Sequence, residues 1–331
     1  EWEQTRLFLL QSNGGLISAA EAASKGVLTL LSGPVGGNVA CRALSQLGRT
    51  EDLDLENLIC IDMGGTSFEA SLIVDGASAV RHEREIGGFP ILAPMVDIHT
   101  IGAGGGSIAW NDAGALRIGP HSAGASPGPA SYGKGGVDAT VTDANMVLGR
   151  LPDGVRFGAG LNLNLGFAKD AVANFAEQFS LGLVEAAQGI LDVVNEQMAN
   201  AIRTITVRRG IDPRAFKLVA YGGAGPMHAA DIARLLDIRT IVVPRSAGTF
   251  SAWGMLQSDI VHEVAETILV PLADANWPLI GTRFAAIETE LKEVLLKEGA
   301  KKEAIEFERM LDMRYVGQEY SVALPLSLDI S

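Results

Sequence analysis

The sequence predicts an α/β domain in which helices flank a mixed sheet, and three observations predict it. Leu58-Ile59-Cys60-Ile61-Asp62 is a short continuous apolar run of the buried-strand kind, followed by a Gly-rich turn and the alternating segment Phe68 to Val74. Lys217 to Tyr221 is a second apolar run. It leads through Gly222-Gly223-Ala224-Gly225-Pro226 into a helix through Leu236 and a strand from Thr240 to Val243. Between the two, Val184 to Arg209 carries Ala187, Ile190, Leu191, Val194, Met198, Ala201, Ile202 and Ile205 on one helical face, and Gly210 with Pro213 closes that helix.

In chain order, Leu7 to Leu47 reads as strand, short helix, strand and helix. Leu30 to Gly37 forms a strand end and Gly-rich turn that feeds a helix from Val39 to Leu47. Asp75-Gly76 is a hairpin signal with a further strand expected after it. Glycine fills eleven of the 35 positions from 102 to 136, punctuated by Trp110, His121 and Tyr132, which reads as a long ordered functional loop. Thr249 to Leu256 is a short helix. Beyond about Ile260 a charged amphipathic helix (Phe284, Ile287, Leu291, Val294, Leu295) precedes strands over Glu306 to Tyr315 and Glu319 to Leu326. The expected organisation is one domain over 1–260, with a Gly-rich insertion at about 84–165, and the beginning of a C-terminal α+β domain over 261–331.

Composition narrows the function classes. The 331 residues hold 39 glycines, about 12%, against about 7% in an average protein, yet only 13 prolines. Strong apolar segments between the glycines exclude collagen and disorder, so the glycines serve turns and close backbone approaches. A net charge of -13 argues against a nucleic-acid backbone or an anionic membrane as a general partner. Two cysteines, Cys41 and Cys60, suit a reducing compartment rather than a disulfide framework. No apolar run reaches the roughly eighteen residues of a transmembrane helix. The start at Glu1-Trp2-Glu3-Gln4 reads as that of a fragment, with a cytoplasmic location the expectation.

Three segments carry residues suited to chemistry. In Asp62-Met63-Gly64-Gly65-Thr66-Ser67 glycine lets backbone N–H groups approach phosphate oxygens and the hydroxyls add donors, while Asp62 is placed to hold a Mg²⁺-bound water or the attacking one. A strand follows rather than a helix, which excludes the dinucleotide fingerprint and the Walker loop. A plain Gly-rich hairpin turn is the equal alternative. Gly222, Gly223 and Gly225 open a helix with Pro226 in its first turn, which suits a nucleotide's phosphates or its adenosine, or simply makes a tight turn. At strand spacing Asp97 and His99 point to one face. There they share a divalent cation or polarise a substrate, with Asp138, Asp143 and His121 as further donors, or else form a satisfied His–Asp pair. Cys41 and Cys60 read as core thiols. His82 and His262 carry no partner signal, and His228, just inside the helix after the second loop, reads as packing or capping ahead of ligand contact.

Taken in order, Gln11 to Gly15, Ser32 to Gly36, Asp62 to Ser67, Val96 to Ser107, Gly119 to Pro129, Thr142 to Asn145, Tyr221 to Pro226 and Ser251 to Gly254 resemble the hydantoinase A / 5-oxoprolinase family, relatives of acetone-type carboxylase subunits. Arg314 to Gln318 resembles the opening of that family's next domain. The resemblance implies an actin-like ATPase lobe of the ribonuclease H kind. Asp62 to Ser67 is its second phosphate hairpin, Tyr221 to Pro226 its adenosine loop and Thr249 to Leu256 a connecting helix. Phe68-Glu69 stands where the family has Thr-Asp. The first phosphate hairpin is absent, so a missing N-terminal lobe of the same protein is an expected partner and the fragment alone is expected to be inactive.

The activity implied is ATP-dependent opening of a five-membered lactam or imide, of the hydantoin or 5-oxoproline type. ATP and Mg²⁺ or another divalent cation are the cofactors, a small cyclic amide the substrate, and a hydantoinase B-type subunit or domain the partner. Asp62, Asp97 and His99 are then the catalytic candidates. Gly64, Gly65, Thr66, Ser67, Gly222, Gly223 and Gly225 are the nucleotide candidates, and Asp62, Asp97, His99 and Asp143 the metal candidates. An ATP-hydrolysing subunit of a ketone carboxylase and a non-catalytic nucleotide switch are the alternatives.

Overall fold

Six strands make the central sheet of the protein, seen in a computed structural model that describes residues 6–50, 54–81, 83–154, 156, 157, 160–319 and 321–326. His82 lies outside the described residues. The sheet strands are β1 (Leu58–Met63), β2 (Phe68–Val74), β3 (Ala77–Ser78) and β4 (Ile98–Ile101). A separate hairpin follows, β5 (Ser107–Asp112) and β6 (Ala115–Ser122), before the sheet resumes with β7 (Lys217–Tyr221) and β8 (Ile241–Val242). Its order is β4-β2-β1-β7-β8, with β3 paired to the far end of β2. β4, β2 and β1 run as an antiparallel meander, and β7 and β8 continue parallel to β1. The sheet is mixed, as expected.

The apolar runs are continuous because both faces of the sheet are covered. Ile59, Ile61 and Met63 of β1 enter the larger core, beneath α3 (Leu165–Glu177), α4 (Leu183–Ile205) and α5 (Gly225–Leu235). Leu58 and Cys60 enter a second core with Ala40 and Cys41 of α1 (Ser32–Thr50) and Phe250 of α6 (Phe250–Met255). All eight apolar residues assigned to one face of α4 are buried. That helix stops at Ile205, a 3₁₀ turn spans Val207–Arg209, and Gly210 takes a left-handed φ of 76°.

Two expectations fail here. Ser32 to Gly37 is no strand end or turn but the opening of α1, and Gly26–Thr29 before it is a 3₁₀ turn rather than a strand. Pro34 sits in the first helical turn, where a missing N–H breaks no bond. The glycines serve packing: a Cβ on Gly36 would lie 2.7 Å from the Ser251 carbonyl oxygen, one on Gly37 would strike the Tyr221 ring, and one on Gly254 would strike the Gly36 carbonyl. Likewise 102–136 is not one loop. It holds the β5–β6 hairpin, whose register shifts between Ser107 and Ala109, and a 3₁₀ turn at Ala130–Tyr132. Trp110 Nε1 donates to the Gly119 carbonyl at 2.7 Å across the hairpin, and Gln197 of α4 donates to the Ile118 carbonyl at 3.2 Å.

The chain divides into two compact units. One, containing the sheet, is Leu10–Gly14 with Lys25–Ser258. The other gathers the described residues up to Leu9, Gly15–Ser24 and the chain from Asp259 on. The joining of the N-terminal segment to the later part was not visible in the sequence. Within this second unit the Leu16 amide donates to the Asp259 carbonyl at 2.8 Å. His262 Nε2 lies 2.6 Å from Glu298 Oε2, so this histidine does have a partner. Here α7 (Trp277–Lys297) is capped by Asn276 and precedes the antiparallel pair Met310–Met313 and Val322–Pro325. Among the described residues no helix is long and apolar enough to cross a membrane.

Candidate functional site

Both glycine loops singled out in the sequence arise at the carboxyl ends of adjacent parallel strands. Tyr221 of β7 lies opposite Asp62 of β1, so Gly222 to Gly225 follows one strand where Gly64 to Ser67 follows the other. The Ala224 amide donates to the Met63 carbonyl at 2.8 Å. Gly222 has a φ of +83°, and a Cβ there would overlap Asp62 Oδ1 and lie 2.6 Å from the Met63 carbonyl oxygen. The loop can therefore lie on the strand end only as glycine.

The turn Gly64–Ser67 closes the β1–β2 hairpin, with the Gly64 amide bonded to the Ser67 carbonyl at 3.2 Å. A third glycine segment braces it. The Gly105 and Gly106 amides donate to the Gly64 and Gly65 carbonyls at 3.0 and 2.7 Å, and a Cβ on Gly104 would overlap the Thr66 amide nitrogen. Thr142 holds this brace, giving its amide and its hydroxyl, both at 2.8 Å, to the Gly105 carbonyl. Gly64, Gly65 and Gly223 have open space where a Cβ would stand, and Gly65 and Thr66 are exposed. The result is a rigid backbone turn with a bare outer face, the form suited to an anion.

Asp62 and Glu69 are cross-strand neighbours in the β1–β2 register. Ser251 of α6 donates to Asp62 Oδ2 at 3.1 Å. Burial raises the Asp62 pKa above the usual carboxylate range, against the pull of the Ser251 hydroxyl. Burial likewise raises that of Glu69; a hydrogen bond from Ser67 opposes the rise and the Asp62 charge adds to it. A cation at this pair would relieve both effects. Ser251 and Thr142 were missed as site residues, although each lies in a segment quoted above for the family resemblance.

Asp97 and Asp143 are held by partners of their own. Asp97 is paired with Arg81 at 2.9 Å and with Arg209. Burial disfavours its charge, but the hydrogen bonds of Arg209 and Arg81 outweigh that and hold its pKa below the ordinary value. His99 is half-buried, and burial followed by the charges of Arg84 and Arg209 lowers its proton affinity. Asp143 is fully buried and its carboxylate accepts from the Ala130, Ser131 and Thr140 amides and the Thr140 hydroxyl. It is the capping-box acid of α2 (Val141–Val147). Among the described residues no group of three His, Cys, Asp or Glu side chains is arranged to hold an ion, so the four-residue metal set does not assemble. An open concavity of about 860 Å³ lies elsewhere, along Leu181 to Gly189 and Asp192 at the start of α4.

A buried polar chain stands behind the glycine loops. His228 of α5 is fully buried, with Nδ1 2.7 Å from Asn195 Oδ1 and Nε2 3.4 Å from Asn145 Nδ2. Asn195 in turn donates to Asp231 at 3.3 Å, and Arg150 pairs with Asp231 at 2.8 Å. Burial, then the Arg150 charge, lowers the His228 pKa to about 4, against a smaller upward pull from Asp231.

Fold and site together define an α/β protein whose glycine turns converge at parallel strand ends. The hydantoinase/oxoprolinase family model matches residues 1–264, and the chain belongs to that family. The α subunit of caprolactamase from Pseudomonas jessenii is 36% identical over 99% of this chain and 47% of its own length. A 5-oxoprolinase from Saccharomyces cerevisiae is 36% identical over 97% of the chain and 25% of its own length. Among solved structures, nucleotide-free acetone carboxylase superposes with a TM-score of 0.79 at 28% identity, over 97% of this chain and 46% of that one. The ATP-dependent caprolactamase superposes at 0.76 and 34% identity, over 98% and 47%. The chain thus spans about half the length, or less, of the relatives it matches.

Proposed function

We propose that this chain is the nucleotide-handling part of an ATP-dependent cyclic amidohydrolase that opens five-membered lactam or imide rings. The observation that carries this reading is the meeting of Gly64–Ser67 and Gly222–Gly225 at the ends of β1 and β7. The meander followed by two parallel strands supports an actin-like ATPase lobe, in which that crevice takes the nucleotide. Family membership supports the substrate class, with a caprolactamase and a 5-oxoprolinase among the relatives.

The residues present fit ATP and a divalent cation. Gly64, Gly65, Thr66 and Ser67 offer backbone and hydroxyl donors to phosphate, and Gly222, Gly223 and Gly225 give a side-chain-free wall for the nucleoside. Asp62, partly desolvated and next to Glu69, is the carboxylate for Mg²⁺ or its water. A bound cation would supply charge neutralisation at the phosphates. A lactam resists hydrolysis because resonance stabilises its carbonyl. Moving the γ-phosphoryl from ATP to the amide oxygen releases ADP and makes the carbon electrophilic. Water adds there, the ring C–N bond breaks with the nitrogen leaving as a protonated amine, and a second water releases phosphate from the acyl phosphate to leave the carboxylate. The chain's own contribution is to hold the phosphate turn fixed and to stabilise charge with backbone N–H groups. An N-terminal lobe and a hydantoinase B-type partner complete the enzyme in this reading, and the hairpin β5–β6 with the exposed residues after it borders the substrate.

A ketone-carboxylase role is the second reading, favoured by the likeness to acetone carboxylase. ATP turnover by the intact protein decides between them. The first reading expects ADP release dependent on hydantoin, 5-oxoproline or a related lactam; release dependent on acetone plus bicarbonate would replace it with the second. Turnover with none of these would favour a nucleotide switch. The 331-residue chain alone is expected to show no MgATP binding by calorimetry, and micromolar binding would overturn the two-lobe reading.

A further inference from the structure

We propose that His228 is a positioning residue that locks the helix carrying the nucleotide loop to the helix bracing the phosphate turn. The proposal rests on the nucleotide reading above for its functional consequence, but not for its mechanics. α5 begins at Gly225, inside the loop that lies on Asp62. α2 begins one residue after Thr140, and its Thr142 holds Gly105 against the Gly64–Gly65 turn. His228 of α5 faces Asn145 of α2 and is buried from solvent.

The hydrogen bonds fix its tautomer. Asn195 gives its Nδ2 to Asp231, so its Oδ1 faces His228 and must accept, which places the proton on Nδ1. Asn145 gives its Nδ2 to the Val141 carbonyl at 2.9 Å, and the same group faces Nε2, which is left as an acceptor. Asn145 Oδ1 is buried with no partner, so this amide is held by its nitrogen alone. Arg150, three residues past the end of α2, completes the tie, reaching the Met227 carbonyl at 3.2 Å and Asp231. α2, α4 and α5 are thereby joined through one imidazole, and the two glycine loops they carry are set relative to each other.

The two ring nitrogens make the idea separable from a packing role. His228→Gln keeps an acceptor where Nε2 stands, whereas His228→Asn keeps only a donor where Nδ1 stands. In the intact protein the Ala and Asn variants are expected to weaken MgATP binding about tenfold, with the Gln variant within about threefold of the parent. Amide exchange in the nucleotide-free intact protein reads the mechanics directly. The Gly105, Gly106 and Ala224 amides are expected to exchange about tenfold faster in His228→Ala than in Phe175→Leu, a core variant chosen for equal loss of melting temperature. Equal exchange in those two variants would overturn the proposal, as would unchanged MgATP affinity across the His228 series. A parent protein that binds no MgATP, with the exchange difference present, would instead refute the nucleotide reading and leave the coupling standing.

Discussion

Gly222 and Gly104 show at single positions why this chain is rich in glycine. Each stands where a Cβ would overlap a neighbouring strand end or turn, Asp62 in one case and the Thr66 amide in the other. Gly222→Ala combines that overlap with a φ of +83°, so it should cost several kcal/mol and abolish nucleotide binding; a melting temperature unchanged within a degree would contradict the geometry. His228 gives a pH dependence of definite sign. Its folded pKa of about 4 lies below an unfolded value of roughly 6.5. The unfolded chain therefore binds the proton first. The stability tied to the neutral ring is complete above about pH 6.5 and is lost as pH falls toward 4. Urea midpoints measured from pH 7 to 4 should fall, and the fall should be shallower in His228→Gln.

At the scale of elements, the legible parts were those whose signal is local. The 3.6-residue repeat fixed α4, and the apolar runs fixed β1 and β7, because burial on known faces leaves a periodic trace. Ser32 to Gly37 was misread because Gly and Pro are turn residues by propensity, whereas here Gly36 and Gly37 serve a tertiary contact with Ser251 and Tyr221 that no local window contains. The β5–β6 hairpin was hidden by its flanking glycines. Asp143 was a different case: Thr140-Val141-Thr142-Asp143 is a capping-box spacing readable in the sequence, and the ligand reading overlooked it. The α1–α6 crossing gives the prediction proper to this scale. Gly254→Ala must push α6 away from the Gly36 carbonyl. It should therefore destabilise the protein by a few kcal/mol and release the Ser251 hydrogen bond on Asp62. A crystal structure of the variant with that hydroxyl still within 3.5 Å would refute this.

For the whole molecule, two loops 157 residues apart in sequence, Gly65 and Gly222, pointed to one nucleotide site by their joint presence, and the family resemblance placed both in one fold. Residue chemistry gave each loop alone an even or losing chance against an ordinary turn. What joins them is the parallel pairing of β1 with β7, a long-range contact with no local signature. A Thr142→Val substitution tests how far the assembled site depends on its brace. Loss of the hydroxyl bond to Gly105 should cost about 1 kcal/mol and speed exchange at Gly105 before any other part of the sheet.

That brace also separates what selection can vary from what it cannot. The turn is held by the Gly105 and Gly106 amides, with the Thr142 hydroxyl on the Gly105 carbonyl as the side-chain part of the brace. Residues 125 and 126, beyond the hairpin, are exposed. On the proposed reading, libraries aimed at a new ring size or ring substituent would randomise that rim while leaving the braced turn intact, and the same freedom would let descendants of one ancestor diverge in substrate without rebuilding the turn.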